Sequence, residues 1–190
     1  MNLQQGDIVL FSGKTSLHLR IQEWIHSKWS QVSLVIVWGG KFALFESTKL
    51  PISKDVIKKQ LVTGVQVVSL SEKLSLFEGD VAFRQLQPSL DLERGKKLYA
   101  FVNSAIGKPY NDSKYVMVRG MHRKNTKGDD STYFCSQLVA EALQRCNILQ
   151  NTTKELASTN YSPADFSSVN SLSLVEGFSY SNEIYLKQNR

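Results

Sequence analysis

The sequence predicts an α+β fold in which antiparallel strands are interspersed with amphipathic helices. Two patterns carry this reading. The β-branched run Val32–Trp38 meets a Gly39-Gly40 turn and a second run at Phe42–Glu46, the mark of a hairpin. Elsewhere the spacing turns helical: Leu98, Phe101, Val102 and Ala105 share one face, and Cys135, Leu138, Val139, Ala142, Leu143 and Cys146 share another. Strands followed by interspersed helices, rather than either alone, argue the α+β class.

The elements follow in order. Asp7–Phe11 reads as a first strand after a Gly6-Asp7 turn, broken by Ser12-Gly13-Lys14. Thr15–Trp29 reads as a helix with Leu17, Ile21, Trp24, Ile25 and Lys28 on one stripe and Thr15 or Ser16 as N-cap. After the hairpin, Gly64–Val68 and Asp80–Leu86 add two strands. Asp91–Ile106 is a helix punctuated by Gly107 and Pro109. Lys114–Asp130 is a basic loop, a helix runs from Tyr133 to about Cys146-Asn147, and an edge strand closes at Glu183–Leu186.

Length and composition set the bounds. The 190 residues fit one domain, 1–190, with 151–190 as a C-terminal extension that completes it. A hydrophobic fraction of 42% is enough for a core. The net charge of +6 favours anionic partners such as membranes, nucleic acid or acidic polymers. The N-terminus has neither a basic n-region nor an apolar h-region, so no signal peptide is expected. The longest apolar run, Val32–Trp38, is too short to span a bilayer. Cys135 and Cys146 would lie about 16 Å apart along one helix, too far for a disulfide. A cytoplasmic, reducing setting is expected.

Cys135 stands where chemistry is expected, within Tyr133-Phe134-Cys135-Ser136-Gln137-Leu138-Val139 at the start of a helix. Unpaired N–H groups and the helix dipole there favour thiolate over thiol. The same spacing also suits a plain core cysteine, and both readings stay open. A thiol enzyme needs a base and a group to orient it. Only His18, His26 and His122 exist; the first two fall on the first helix, where solvated histidines are the ordinary case, and His122 sits in the basic loop. No Cys/His spacing suggests a metal and no glycine loop suggests a phosphate-bearing cofactor. Lys114–Lys127 interleaves Lys/Arg with apolar side chains, which fits either a solvated loop or a flap that engages an anionic membrane surface. No recognised nucleic-acid module surrounds it, so nucleic-acid binding is not expected.

Read in order, several pieces resemble the circularly permuted papain-like proteins of the NlpC-type superfamily, especially the YiiX-like group, and more distantly lecithin–retinol acyltransferase. They are Gly6-Asp7-Ile8-Val9, Lys28-Trp29-Ser30-Gln31-Val32-Ser33, Leu44-Phe45-Glu46-Ser47, Gly107-Lys108-Pro109-Tyr110, the segment around Cys135, and Tyr161-Ser162-Pro163-Ala164-Asp165-Phe166. The resemblance implies a permuted papain-like fold, with an antiparallel sheet or half-barrel packed against the cysteine-bearing helix. It implies that Cys135 occupies the nucleophile position and Glu46 that of the polar residue orienting a catalytic histidine. Where the family carries that histidine, in a Trp-Ser-His-Val-Gly-like segment, this chain has Gln31. A second departure is Asn111 after Pro109-Tyr110, where glutamate is frequent. Trp29, Tyr110, Tyr133 and His122 are candidate walls of the substrate cleft.

Glutamine hydrogen-bonds but takes no proton near neutral pH, so the resemblance supports two functions. One is a cysteine-dependent hydrolase or acyltransferase acting on amide, ester or thioester bonds of lipids or peptides, with His26 or His122 as a substitute base. The other is a degenerate member that binds a lipid, peptide or protein without turnover.

Overall fold

The structure is a computed structural model and describes residues 3–112, 131–151 and 157–188. The segment Lys114–Lys127, with His122 inside it, lies outside the described residues.

Among the described residues, six strands form one antiparallel sheet. They are β1 (Ile8–Gly13), β2 (Gln31–Trp38), β3 (Lys41–Thr48), β4 (Gly64–Ser69), β5 (Gly79–Arg84) and, after the short β6 (Leu86–Gln87) and β7 (Ser179–Tyr180), β8 (Ile184–Lys187). The order across the sheet is β4-β3-β2-β1-β5-β8, while β6 and β7 pair separately. Four helices accompany them: α1 (Ser16–Trp24), α2 (Leu70–Leu76), α3 (Leu92–Ala105) and α4 (Cys135–Arg145).

Strand alternation divides the core in two, because successive side chains leave opposite faces of a strand. Ile8 and Leu10 of β1, Val32 and Leu34 of β2 and Phe45 of β3 pack with Leu98, Phe101, Leu138 and Val139 of the two long helices. Val9, Phe11, Val35 and Leu44 face the other way, onto Leu70 and Phe77 at either end of α2. Each fully buried aliphatic side chain contributes roughly 1.5–3 kcal/mol relative to exposure. The predicted apolar face of α4 is buried throughout, Cys135 and Cys146 included, and both cysteines are free thiols.

Several boundaries differ from expectation. The first helix ends at Trp24 rather than Trp29. His26 adopts a left-handed φ of 48°, which breaks the helical backbone, and Trp24 is left on the surface. The first strand continues through Ser12 and Gly13, which pair with Asp80 and Gly79 of β5. The predicted Asp80–Leu86 strand is two strands, β5 and β6, in different sheets. Helix α2 has no counterpart in the sequence reading; seven residues with only Leu70 and Lys73 buried leave too little periodicity to read. The closing strand forms as β8, the sheet edge beside β5. No helix among the described residues is long and apolar enough to cross a membrane.

Candidate active site

Three parts of the fold bring Cys135, Gln31 and Glu46 together. Cys135 is the first residue of α4, after Phe134, an N-cap with no side-chain hydrogen bond. The β2–β3 ladder runs from Trp38↔Lys41 to Leu34↔Phe45 and stops there. Beyond that point the N–H of Val32 donates to the Cys135 sulfur. The Ser47 hydroxyl donates to the Tyr133 carbonyl at 2.6 Å, which fixes the approach to α4 against β3.

Gln31 and Glu46 lie on neighbouring strands, and the Gln31 amide Nε2 donates to Glu46 Oε2 at 2.9 Å. Ser33 Oγ donates to the same oxygen at 3.0 Å. The other oxygen, Oε1, accepts from Gln66 Nε2 at 3.0 Å and from the Lys73 ammonium at 2.9 Å. Four donors fill the acceptor capacity of one carboxylate. Glu46 and Lys73 are both almost wholly removed from solvent. Because a carboxylate accepts only, the Gln31 –NH₂ must face Glu46, which leaves its carbonyl oxygen as the acceptor end of the amide.

Cys135 stands where two narrow cavities meet. One is lined by Leu17, His18, Gln31, Thr48, Lys49 and Leu50 among others, polar and apolar side chains together. The other is mainly apolar, with Ile25, Phe134, Tyr161 and Pro163 in its wall. Ile21, Ser30, Tyr110 and Cys135 border both. At 7% exposed, Cys135 satisfies the core reading and the cleft reading at once.

Electrostatics correct one expectation. The helix start was expected to favour thiolate; instead burial pushes the Cys135 thiol up to about 11. Hydrogen bonds from the backbone of Val32 and Ser136 oppose the shift, and the Glu46 charge adds to it. Desolvation outweighs the helix terminus because charging a sulfur away from water costs more than a few N–H dipoles return. Burial also raises the Tyr110 phenol well above its ordinary range, with the Cys135 and Asp112 charges reinforcing it.

The remaining candidates are placed as follows. Tyr110 borders both cavities. Trp29 is buried, donates Nε1 to Glu183 at 3.0 Å and packs on Tyr185, so it braces β8 rather than lining either cavity. Tyr133 is fully buried against Phe101 and serves as scaffold. His26, expected as a substitute base, is exposed in the turn after α1 and borders neither cavity. His122 lies outside the described residues. The sequence reading passed over Lys73, which charges the network, and His18, which shares a cavity with Cys135. His18 had a local signal: Thr15 three residues before it caps α1 and holds its imidazole.

Comparison with known proteins places this arrangement. The crystal structure of the metalloprotein yiiX from Escherichia coli O157:H7 superposes with a TM-score of 0.59 over 97% of this chain and 99% of that one, at 18% identity. Among the described residues here, no group of three or more His, Cys, Asp or Glu is arranged to hold a metal. No curated protein matches the chain. The family model of the permuted papain-like amidase enzymes, YaeF/YiiX, C92, matches residues 2–180. The fold, the order of its elements and the cysteine at the head of α4 therefore meet in one conclusion: the chain belongs to the permuted papain-like amidase family.

Proposed function

We propose that the protein is a cysteine-dependent hydrolase or acyltransferase in which Cys135 attacks an amide, ester or thioester carbonyl, with Gln31 in place of the family's histidine. The observation that carries this reading is the seat of Cys135, at the head of α4, open to two cavities and touched by the Val32 N–H. The proton leaves sulfur as the S–C bond forms, the leaving group departs protonated, and water or an amine resolves the acyl-enzyme.

Gln31 holds no proton to give, so its role is to hydrogen-bond, with its orientation fixed by Glu46. A placed general base is worth 10²–10⁴-fold in rate. Acyl groups with good leaving groups tolerate its loss at position 31 better than unactivated amides do, which makes thioesters and activated esters the favoured substrates. The apolar cavity suits the hydrocarbon part of such a substrate.

Intact-mass measurement after incubation with a short-chain acyl thioester, and separately with an amide, tests the proposal. An acyl adduct that Cys135→Ser abolishes is expected with the thioester. No adduct from either probe sinks the reading.

A second reading, binding without turnover, is favoured by the saturation of Glu46 and the high thiol pKa. The two readings differ in Gln31→His. If the site is only disarmed, that substitution creates thioester hydrolysis where the natural chain has none.

A further inference from the structure

We infer that His18 on α1 is the general base for Cys135, doing from the neighbouring helix what Gln31 cannot do from β2. This rests on the proposed acyl-transfer reading and names the group that moves its proton.

The imidazole has a built seat. His18 and Cys135 line the same cavity, with Gln31 in its wall. The Thr15 hydroxyl lies 3.0 Å from Nδ1 and fixes the ring, as an orienting residue does for a catalytic histidine. Phe77 covers the ring at a centroid distance of 6.1 Å. Gly13 in β1 completes the seat: a Cβ there would fall 2.0 Å from Nδ1 and 2.5 Å from Cγ of His18. Gly13 is not in the left-handed region, so what requires glycine here is the space the imidazole occupies. A merely solvated histidine would leave no such imprint on the adjoining strand.

The chemistry follows from the seat. When Nδ1–H donates to Thr15 Oγ, Nε2 keeps its lone pair for a proton. Burial and the positive charge of Lys73 on α2 hold the imidazole below its ordinary 6.5, so it is neutral and able to accept at neutral pH. The other titratable groups at its cavity are Lys49 after β3, Tyr110 and Cys135 itself, with Glu46 behind Gln31 and engaged by Lys73. Among the described residues no hydrogen bond joins His18 directly to Cys135, so the proton crosses through water or a polar atom of the substrate. Their resting state is neutral thiol and neutral imidazole, not a preformed ion pair. In the attack the S–H bond breaks, S–C forms and the proton reaches His18. On collapse the C–X bond breaks and His18 returns the proton to the leaving group. In the second half His18 takes a proton from water as the hydroxyl adds, then returns it to sulfur when the acid leaves.

The experiment is the rate of Cys135 acylation by a short-chain acyl thioester, followed by intact mass across pH. The natural chain is expected to lose rate at acid pH as His18 is protonated. His18→Gln should slow acylation by about 10²–10⁴-fold and abolish that acid limb. His18→Ala should recover part of the loss with added imidazole, and Gln31→His should rescue His18→Gln. Thr15→Val should slow acylation while keeping the acid limb. Thermal melts establish that each variant is folded. Acylation of folded His18→Gln at the natural rate, with the same profile, overturns the inference and leaves the acyl-transfer reading standing. Absence of any adduct on the natural chain overturns both.

Discussion

Lys73 and Glu46 form an ion pair closed off from water, and among the described residues neither side chain has another partner of opposite charge. Breaking one half of such a pair is costlier than removing both, since a lone buried charge has lost its solvent and its partner. Lys73→Met should lower unfolding free energy by about 3–5 kcal/mol, measured by urea denaturation. The double variant Lys73→Met/Glu46→Gln should recover a large part of that loss. The buried thiols add a pH dependence. Burial pushes the Cys135 thiol up to about 11 and the Cys146 thiol up to about 12, both well above the ordinary thiol range. A raised folded-state pKa means that the native chain holds protons the unfolded chain releases, so stability is intact below about 9 and falls as pH climbs toward 11 and 12. Cys135 alone accounts for about 3 kcal/mol of this once pH passes 11. Melting temperatures measured at pH 8, 9 and 10 should decline, and less steeply in Cys135→Ala.

Among the elements, β4 and the loop after α3 set the roof of the site. Val65 N–H donates to the Lys108 carbonyl at 2.9 Å, and Gly107 N–H to the Val65 carbonyl at 2.9 Å. Gly64, at φ 105°, has no room for a side chain: a Cβ would lie 2.4 Å from the Lys108 carbonyl oxygen. That loop carries Tyr110, which bridges to Tyr133 and borders both cavities. Gly64→Ala should therefore destabilise by about 2–4 kcal/mol and also slow Cys135 acylation, whereas Gly39→Ala, also at positive φ but facing open space, should leave acylation unchanged. The same elements show what the sequence made legible. The hairpin at Gly39-Gly40 and the faces of α3 and α4 were readable because their signals are local. Cys135 stands out by its place at a helix start, whereas Gln31 and Glu46 are legible only through the resemblance to a family. Lys73 was not, because it reaches Glu46 from an element 27 positions away whose own pattern is too short. A histidine on a surface helix reads as solvated, and nothing in α1 announces that Gly13 makes space for His18 across a turn.

For the whole molecule, the charge of +6 bears on where it works. We propose that the basic segment Lys114–Lys127 brings the protein to anionic membrane surfaces, where acyl substrates are found. Charges of this kind act over roughly a Debye length, about 10 Å at 0.1 M salt. Sedimentation with vesicles containing anionic lipid should be strong at low salt and lost at high salt, and neutral vesicles should not sediment the protein. Replacing the Lys and Arg residues of 114–127 with Gln should remove binding without altering acylation in solution. Equal sedimentation with neutral and anionic vesicles would dismiss the proposal.

Glu183 accepts a hydrogen bond from Trp29, two residues before Gln31, and β8 follows at once along the free side of β5. Tyr180, just upstream, donates its hydroxyl to Gly6 at the opening of the first strand, at 2.8 Å. These clasps come from the part of the polypeptide translated after everything they fasten. A chain cut before residue 179 keeps its nucleophile and both strand partners but lacks the brace behind them. Such a product should melt at a lower temperature than residues 1–190 and lose acylation as it does.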